Sequence, residues 1–325
     1  MKILVTGGAG FIGSHLVDEL LADGHYVTVL DNESTGSPVN LKANFGRGNF
    51  RYVRGTICNP DAVSSLMCGT QLVYHLAAVV GVTHVLENPY DMLTTNIRGT
   101  EEVLRAAQCV GARVVFTSSS EVYGKPVSNH PLYEDEDRIV GPVVAPRWSY
   151  AAAKAVDEYI VAAHHECGLN TSIVRYFNVY GSRMDPRGYG SVIAKFVNQA
   201  LDGEPLTVYG DGYQSRSFIH VSDAVRATIL AGTRKAAIGR TYNVGNPQPI
   251  DMNELAQLIV TRAASDSLIE HVAPPFDNFD EARFRVPCIR RIWADTGFIP
   301  RVDLECGIDA LIASTILERN KENSK

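Results

Sequence analysis

The sequence predicts an α/β fold, a doubly wound parallel sheet followed by a smaller C-terminal lobe, on three observations. An apolar strand, Ile3-Leu4-Val5-Thr6, runs directly into Gly7-Gly8-Ala9-Gly10-Phe11-Ile12-Gly13. The next apolar run, Tyr26 to Leu30, ends in an acid, Asp31. From there to Phe177, short β-branched and aromatic runs alternate with stretches of helical periodicity, the pattern left by right-handed crossovers in one parallel sheet.

The first strand, loop and helix set the chemistry of the fold. Glycines at 7, 10 and 13 permit a tight turn, let the backbone approach a pyrophosphate, and let the helix from Phe11 to Leu21 pack close on the sheet. A phosphate then sits at the positive helix N-terminus. Gly7, Gly10, Phe11, Ile12 and Gly13 are therefore candidate cofactor contacts. Asp31 lies 18 residues past Gly13, where a carboxylate accepts hydrogen bonds from the ribose hydroxyls of an adenosine; with Asn32 it completes a dinucleotide site that favours NAD over NADP.

The alternation continues with strand Arg51 to Gly55, helix Asp61 to Met67, strand Leu72 to Ala78, helix Pro89 to Val110, strand Arg113 to Ser118, helix Trp148 to Cys167 and strand Thr171 to Phe177. In such sheets the active groups gather at the carboxyl ends of strands. His75-Leu76-Ala77-Ala78, Ser119 to Glu121 and Asn178 all lie at such ends, so Leu76, Ala77 and Ala78 join the candidate cofactor contacts. Past Asn178 the pattern loosens into loops and short elements, Ser191 to Leu201 and Leu206 to Tyr209. The expected division is a dinucleotide-binding Rossmann domain over 1–178 and a mainly substrate-binding lobe over 179–325, some of whose segments return to the first domain.

Composition excludes several classes. The 325 residues are 45% hydrophobic and 20% charged, enough for a large core. Every long apolar run is interrupted before the roughly 18 to 20 residues of a membrane span, and no signal peptide precedes the first strand. A net charge of −6 without a basic run gives no footprint for nucleic acid or an anionic membrane. Six scattered cysteines form neither a zinc pattern nor a disulfide framework, which points to reduced thiols and a cytoplasmic protein. His84, His164, His165 and His220 have no ligand spacing, so no metal is expected; Glu134-Asp135-Glu136-Asp137 reads as a solvated loop.

Tyr150 and Lys154 are four apart in the predicted helix from Trp148, so both project from one face. A cation beside a phenol favours the phenolate and moves it toward use as a base near neutral pH. Ser119, at the end of the preceding strand, is placed to hydrogen-bond the same substrate oxygen.

Taken together, GGAGFIGSH, HLAA, SSSEVYG, YAAAK, RYFNVYG and QSRSFIHVSDAV resemble the extended short-chain dehydrogenase/reductases that act on nucleotide-diphosphate sugars, over essentially the whole chain. The resemblance implies a catalytic triad of Ser119, Tyr150 and Lys154, Phe177 near the nicotinamide, and Asn178 and Arg216 on the substrate pyrophosphate. It further implies Thr207, Val208 and Tyr209 at the nucleoside, Ser120 and Arg183 among the substrate contacts, and a homodimer built on the helices Pro89 to Val110 and Trp148 to Cys167. Where the family usually has an acid near the adenine, this chain has Thr56.

By that resemblance Tyr150 removes the proton of a sugar hydroxyl while hydride passes to NAD⁺, giving a transient 4-keto sugar and enzyme-bound NADH. Return of the hydride to the other face makes a 4-epimerase of a UDP-sugar, the first expectation. The second, a UDP-glucuronate decarboxylase, is suggested by Glu121, by Arg285 two residues before Pro287, and by the run from Ile139 to Tyr150. The segment Gly81-Val82-Thr83-His84-Val85 lacks the tyrosine those decarboxylases usually carry there and looks like that of 4-epimerases. Glu121 also reads simply as a strand-end carboxylate capping amides. A non-catalytic dinucleotide sensor is a remote third reading.

Overall fold

The computed structural model describes residues 1–80, 88–126, 130–145, 148–184, 192–273 and 282–322. The strands of the first half are β1 (Lys2–Thr6), β2 (Tyr26–Asp31), β3 (Phe50–Arg54), β4 (Leu72–His75), β5 (Arg113–Ser119) and β6 (Thr171–Tyr176). Between them run α1 (Phe11–Ala22), α2 (Pro60–Met67), α3 (Pro89–Val110) and α4 (Trp148–Glu166). The later strands are β7 (Val179–Tyr180), β8 (Leu206–Tyr209), β9 (Ser215–Arg216), β10 (Ile219–His220), β11 (Arg240–Val244), β12 (Ile250–Asp251), β13 (Ile269–Val272) and β14 (Phe284–Arg285). With them come α5 (Val192–Asp202), α6 (Val221–Thr233), α7 (Met252–Arg262), α8 (Arg290–Thr296) and α9 (Leu304–Glu322).

The central sheet has seven strands in the order β11-β6-β5-β4-β1-β2-β3. Each pairing in it is parallel, as in Val5 opposite Val29 on one side and Tyr74 on the other. Parallel strands covered by helices on both faces must be apolar on both, and β1 shows it: Ile3 and Val5 face the core under α1 and α6, while Leu4 faces the core under α2, α3 and α4. The chain winds outward from β1 to β3 and then restarts at β4 on the other side of β1, which puts the switch point between β1 and β4.

Two expected strands are shorter than the sequence suggests. β4 stops at His75 instead of running to Ala78, because the Ala77 amide donates to the Thr6 hydroxyl (3.3 Å) and the Val79 amide to the Asn96 side chain (2.7 Å), not to a neighbouring strand. β6 stops at Tyr176, where Asn178 turns to φ +39°. The seventh strand, β11, was not expected as a strand; it pairs with β6 from Arg240↔Ser172 to Val244↔Tyr176. Parts of 219–298 thus pack on the first sheet, through α6, β11, Ile292 and Phe298. A separate core joins α5, β8, α7 and α9, with Phe196, Leu255 and Ile308 fully buried. The start of α7 is fixed by a capping box, Asp251 with Glu254.

Candidate active site

The glycine loop meets the end of β4 backbone to backbone. Gly7 has φ +72°, and a Cβ there would stand 2.7 Å from the Ala77 nitrogen; at Gly13 it would stand 2.1 Å from the Gly7 carbonyl. Only glycine fits either place. Helix α1 begins at Phe11 with Gly10 as its N-cap, no side-chain cap and no acid in its first turn. The first amides of a helix, here those of Phe11 and Ile12, have no intrahelical acceptor and point toward an anion. Beside them Asp31 is buried, its Oδ2 accepting from the Ala9 amide (2.9 Å) and its Oδ1 from the Glu33 amide (2.8 Å). Each oxygen keeps lone pairs for a ribose diol. Asn32 turns its Oδ1 to the Ser34 amide (3.1 Å), and Thr56 accepts from the Cys58 amide (3.2 Å). Amide cradle, buried carboxylate and the rim formed by Leu76, Ala77 and Ala78 fit a dinucleotide.

Across the switch point, β5 delivers Ser119, whose hydroxyl accepts from the Glu121 amide (3.2 Å) and starts a 3₁₀ turn, Ser120–Tyr123. Tyr150 and Lys154 stand one turn apart on α4, and the Ser119 hydroxyl lies beside the Tyr150 phenol. Burial raises the Tyr150 phenol above its ordinary range, with Glu121 and Asp157 adding to the shift and the neighbouring Ser119 hydroxyl opposing it. The expectation that Lys154 lowers the phenol is thus corrected: burial and the carboxylates of Glu121 and Asp157 set the direction of the shift. The Lys154 ammonium donates to the Thr117 carbonyl (2.9 Å), lies 4.5 Å from the centre of the Phe116 ring, and is itself lowered by burial against the pull of Asp157 and Glu158.

Sequence reasoning missed what holds these groups. Glu158, one turn past Lys154, takes a two-pronged bond from Arg175 (2.9 and 2.7 Å), a second arginine, Arg138, and the Ser118 hydroxyl (2.5 Å). That locks α4 to β6 and to the residue before Ser119. The spacing Tyr150, Lys154, Glu158 was the available signal. Glu134 corrects another expectation: it is buried, not solvated, because its carboxylate accepts the Asn243 amide of β11 (3.0 Å). His75 is buried between Thr6 (2.7 Å) and Thr100 (3.2 Å), and burial, helped by Lys154, lowers it to about 3, so it is neutral. Among the described residues no His, Cys, Asp and Glu group could hold a metal.

On the substrate side, β9 and β14 set Arg216 and Arg285 directly opposite each other. Both are buried. Arg285 forms an ion pair with Glu121, while its Nε and Nη2 have no hydrogen-bond partner among the described residues. Asn178 donates to the Ser217 carbonyl (2.8 Å), bringing the end of β6 to the same place. Phe177 is fully buried against Tyr123, and Ser120 is buried at the start of the turn. Thr207 is held by Gln199 (3.3 Å), Val208 is buried, and Tyr209 takes the Lys195 ammonium over its ring (4.7 Å). Arg183 is paired with Asp18 of α1 (2.7 Å). The segments 81–85 and 185–188, with His84, lie outside the described residues.

Residues 3–245 match the NAD dependent epimerase/dehydratase family. The chain is 39% identical over 319 residues to a UDP-N-acetyl-alpha-D-glucosaminuronate decarboxylase of Bacillus cytotoxicus, covering 96% of each chain. It is 40% identical over 312 residues to UDP-glucuronic acid decarboxylase 1 of Danio rerio, covering 96% of this chain and 72% of that one. Its fold superposes with TM-score 0.87, at 28% identity, on the UDP-glucuronic acid 4-epimerase of Bacillus cereus solved with UDP-glucuronic acid and NAD, covering 98% of this chain and all (100%) of that one. The glycine cradle, the buried Asp31 and the Ser119, Tyr150 and Lys154 cluster thus belong to an NAD-dependent enzyme, and the chain belongs to the NAD dependent epimerase/dehydratase family.

Proposed function

We propose that the protein decarboxylates a UDP-linked uronic acid by way of a 4-keto sugar, and the observation that carries this reading is Arg285. A buried guanidinium with Nη1 on Glu121, and with Nε and Nη2 unpartnered among the described residues, suits the orientation of a sugar carboxylate, since a guanidinium fork grips two oxygens at once. Arg216 beside it, with Asn178, suits the diphosphate. Thr207, Val208 and Tyr209 suit the nucleoside, and the two decarboxylases at 39% and 40% identity lend the uronate.

NAD⁺, held by the glycine loop, Asp31 and the rim of Leu76, Ala77 and Ala78, would supply reversible hydride transfer at the sugar C4. Tyr150, as phenolate, takes the C4 hydroxyl proton; Ser119 donates to the forming C4 oxygen; Lys154 stabilises the phenolate. The resulting β-keto acid loses carbon dioxide by breaking the C5–C6 bond, and the electron pair moves into the enolate between C5 and the C4 oxygen. Ser119 and protonated Tyr150 stabilise that oxygen, Arg285 holds the carboxylate out of the ring plane, and Glu121 holds Arg285. A proton then enters at C5. Glu121 thus acts as a positioning residue, beyond the amide-capping role read from sequence, because its carboxylate engages Arg285.

The second reading, 4-epimerisation, uses the same Ser119, Tyr150 and Lys154, and is favoured by the likeness to the Bacillus cereus 4-epimerase. The masses of the products formed from UDP-glucuronate and UDP-N-acetylglucosaminuronate separate the two. We also propose that 1–178, with α6 and β11, is the cofactor-binding part, that the exposed Val156 and Tyr159 of α4 face a second subunit, and that the exposed free thiols suit the cytoplasm. Light scattering tests the dimer.

A further inference from the structure

The chemistry above makes no use of Asp157. This residue follows Lys154 by three on α4, so the two side chains share a face of the helix. It is 0% exposed, and neither carboxylate oxygen has a hydrogen-bond partner among the described residues. A bare buried carboxylate is costly and calls for a cation or a proton.

Among the described residues, the groups around it leave one candidate cation. The next residue, Glu158, is engaged by Arg175, Arg138 and Ser118. From α3, the Thr100 hydroxyl stands beside Asp157 and is turned to His75 Nε2 (3.2 Å), outside hydrogen-bond geometry for either carboxylate oxygen. His75, on β4, is neutral. Lys154, 3% exposed, donates to the Thr117 carbonyl and, among the described residues, forms no direct ion pair, so it depends on charge acting across the helix face to stay an ammonium at that depth.

We propose that Asp157 is a positioning residue, the buried counter-ion that holds Lys154 as an ammonium inside the catalytic site. The inference rests on the roles given above to Tyr150 and Lys154. Burial raises Asp157 to about 6, against the pull of Lys154, so the anion is present at neutral pH. Its charge acts on both catalytic groups in one direction, opposing deprotonation of Lys154 and of Tyr150. Glu121, on the 3₁₀ turn, acts on Tyr150 in the same sense and is unchanged by substitution at 157. Removing the Asp157 charge without changing its shape therefore moves the whole active pH range toward acid, by about one unit. A purely structural residue lowers activity without moving the range.

The test compares wild type with Asp157→Asn as holoenzymes. It follows kcat/KM against pH on whichever of UDP-glucuronate, UDP-N-acetylglucosaminuronate or UDP-glucose turns over. It also follows Tyr150 ionisation without turnover, as the ultraviolet difference between each protein and its Tyr150→Phe counterpart. Acidward movement of both limbs and of the Tyr150 ionisation supports the counter-ion; an unmoved Tyr150 ionisation, whatever the amplitude of the profile, overturns it. Asp157→Ser carries the same measurements if Asp157→Asn does not fold, and failure of both to fold makes Asp157 structural and overturns the proposal. Loss of turnover in Tyr150→Phe with an unmoved Asp157→Asn profile removes the counter-ion alone; full turnover in Tyr150→Phe removes the role of Tyr150 and this inference with it.

Discussion

Glu121 and Arg285 are 164 residues apart in the chain and form an ion pair beside Tyr150. The pair joins the turn after β5 to β14 in a separate three-stranded sheet, so it ties the catalytic hydroxyls to the substrate side. Arg285→Ala should lower decarboxylation by roughly two orders of magnitude, as loss of a charged donor aimed at the reacting group does. Folding should survive, because Glu121 keeps partial access to water and can rehydrate. Steady-state rates together with a urea melt check both halves of this expectation.

Tyr150→Phe keeps the ring and removes the base. Turnover should fall by roughly two to four orders of magnitude with the melting temperature little changed. Near-normal turnover would mean that another group takes the sugar proton.

Asp31→Ala leaves the Ala9 and Glu33 amides without their acceptor and removes the ribose contact. NAD should bind roughly tenfold to a hundredfold more weakly, on the scale of charge-assisted hydrogen bonds. The wild-type protein should prefer NAD to NADP, since Asp31 repels a 2′-phosphate. Titrations with both reduced cofactors, followed by fluorescence, measure both; equal affinity in the wild type would contradict the role given to Asp31.

Asp157 also has a cost that pH reveals. Its folded-state value of about 6 lies above the ordinary 3.8, so its contribution to stability is complete below about pH 4 and is lost as pH rises through 6. The loss is roughly 2 to 3 kcal/mol. This loss of stability between about pH 4 and 6 should accordingly be absent from Asp157→Asn, whose loss of the Lys154 counter-ion sets its overall stability separately, with cofactor concentration held fixed. Thermal melts across this range check the sign.

The sheet and the cofactor loop were legible because local rules decide them: glycine where a Cβ has no room, an acid at the end of β2, and alternating periods. Strand ends were less so. Leu76 to Ala78 looks like more of β4, but Thr6 and Asn96 supply side-chain acceptors that take the chain out of the ladder. β11 was missed because its partner, β6, lies some sixty residues earlier, and nothing in its five residues names that edge. At the site, Tyr150 and Lys154 were visible from their spacing. The direction of the Tyr150 shift was not, because it depends on depth of burial, and depth is set by the whole fold. The Glu158–Arg175 lock joins α4 to β6, and Glu134, which looked like part of a charged loop, is buried by β11.

The central claim, decarboxylation of a UDP-linked uronate through a 4-keto sugar, is tested most directly by incubating the protein with UDP-glucuronate and with UDP-N-acetylglucosaminuronate and weighing the products by mass spectrometry. The account predicts a product lighter by one carbon dioxide from at least one of them, reduced by Arg285→Ala and by Glu121→Gln. An unchanged mass with inverted configuration at C4 would contradict it and establish the 4-epimerase.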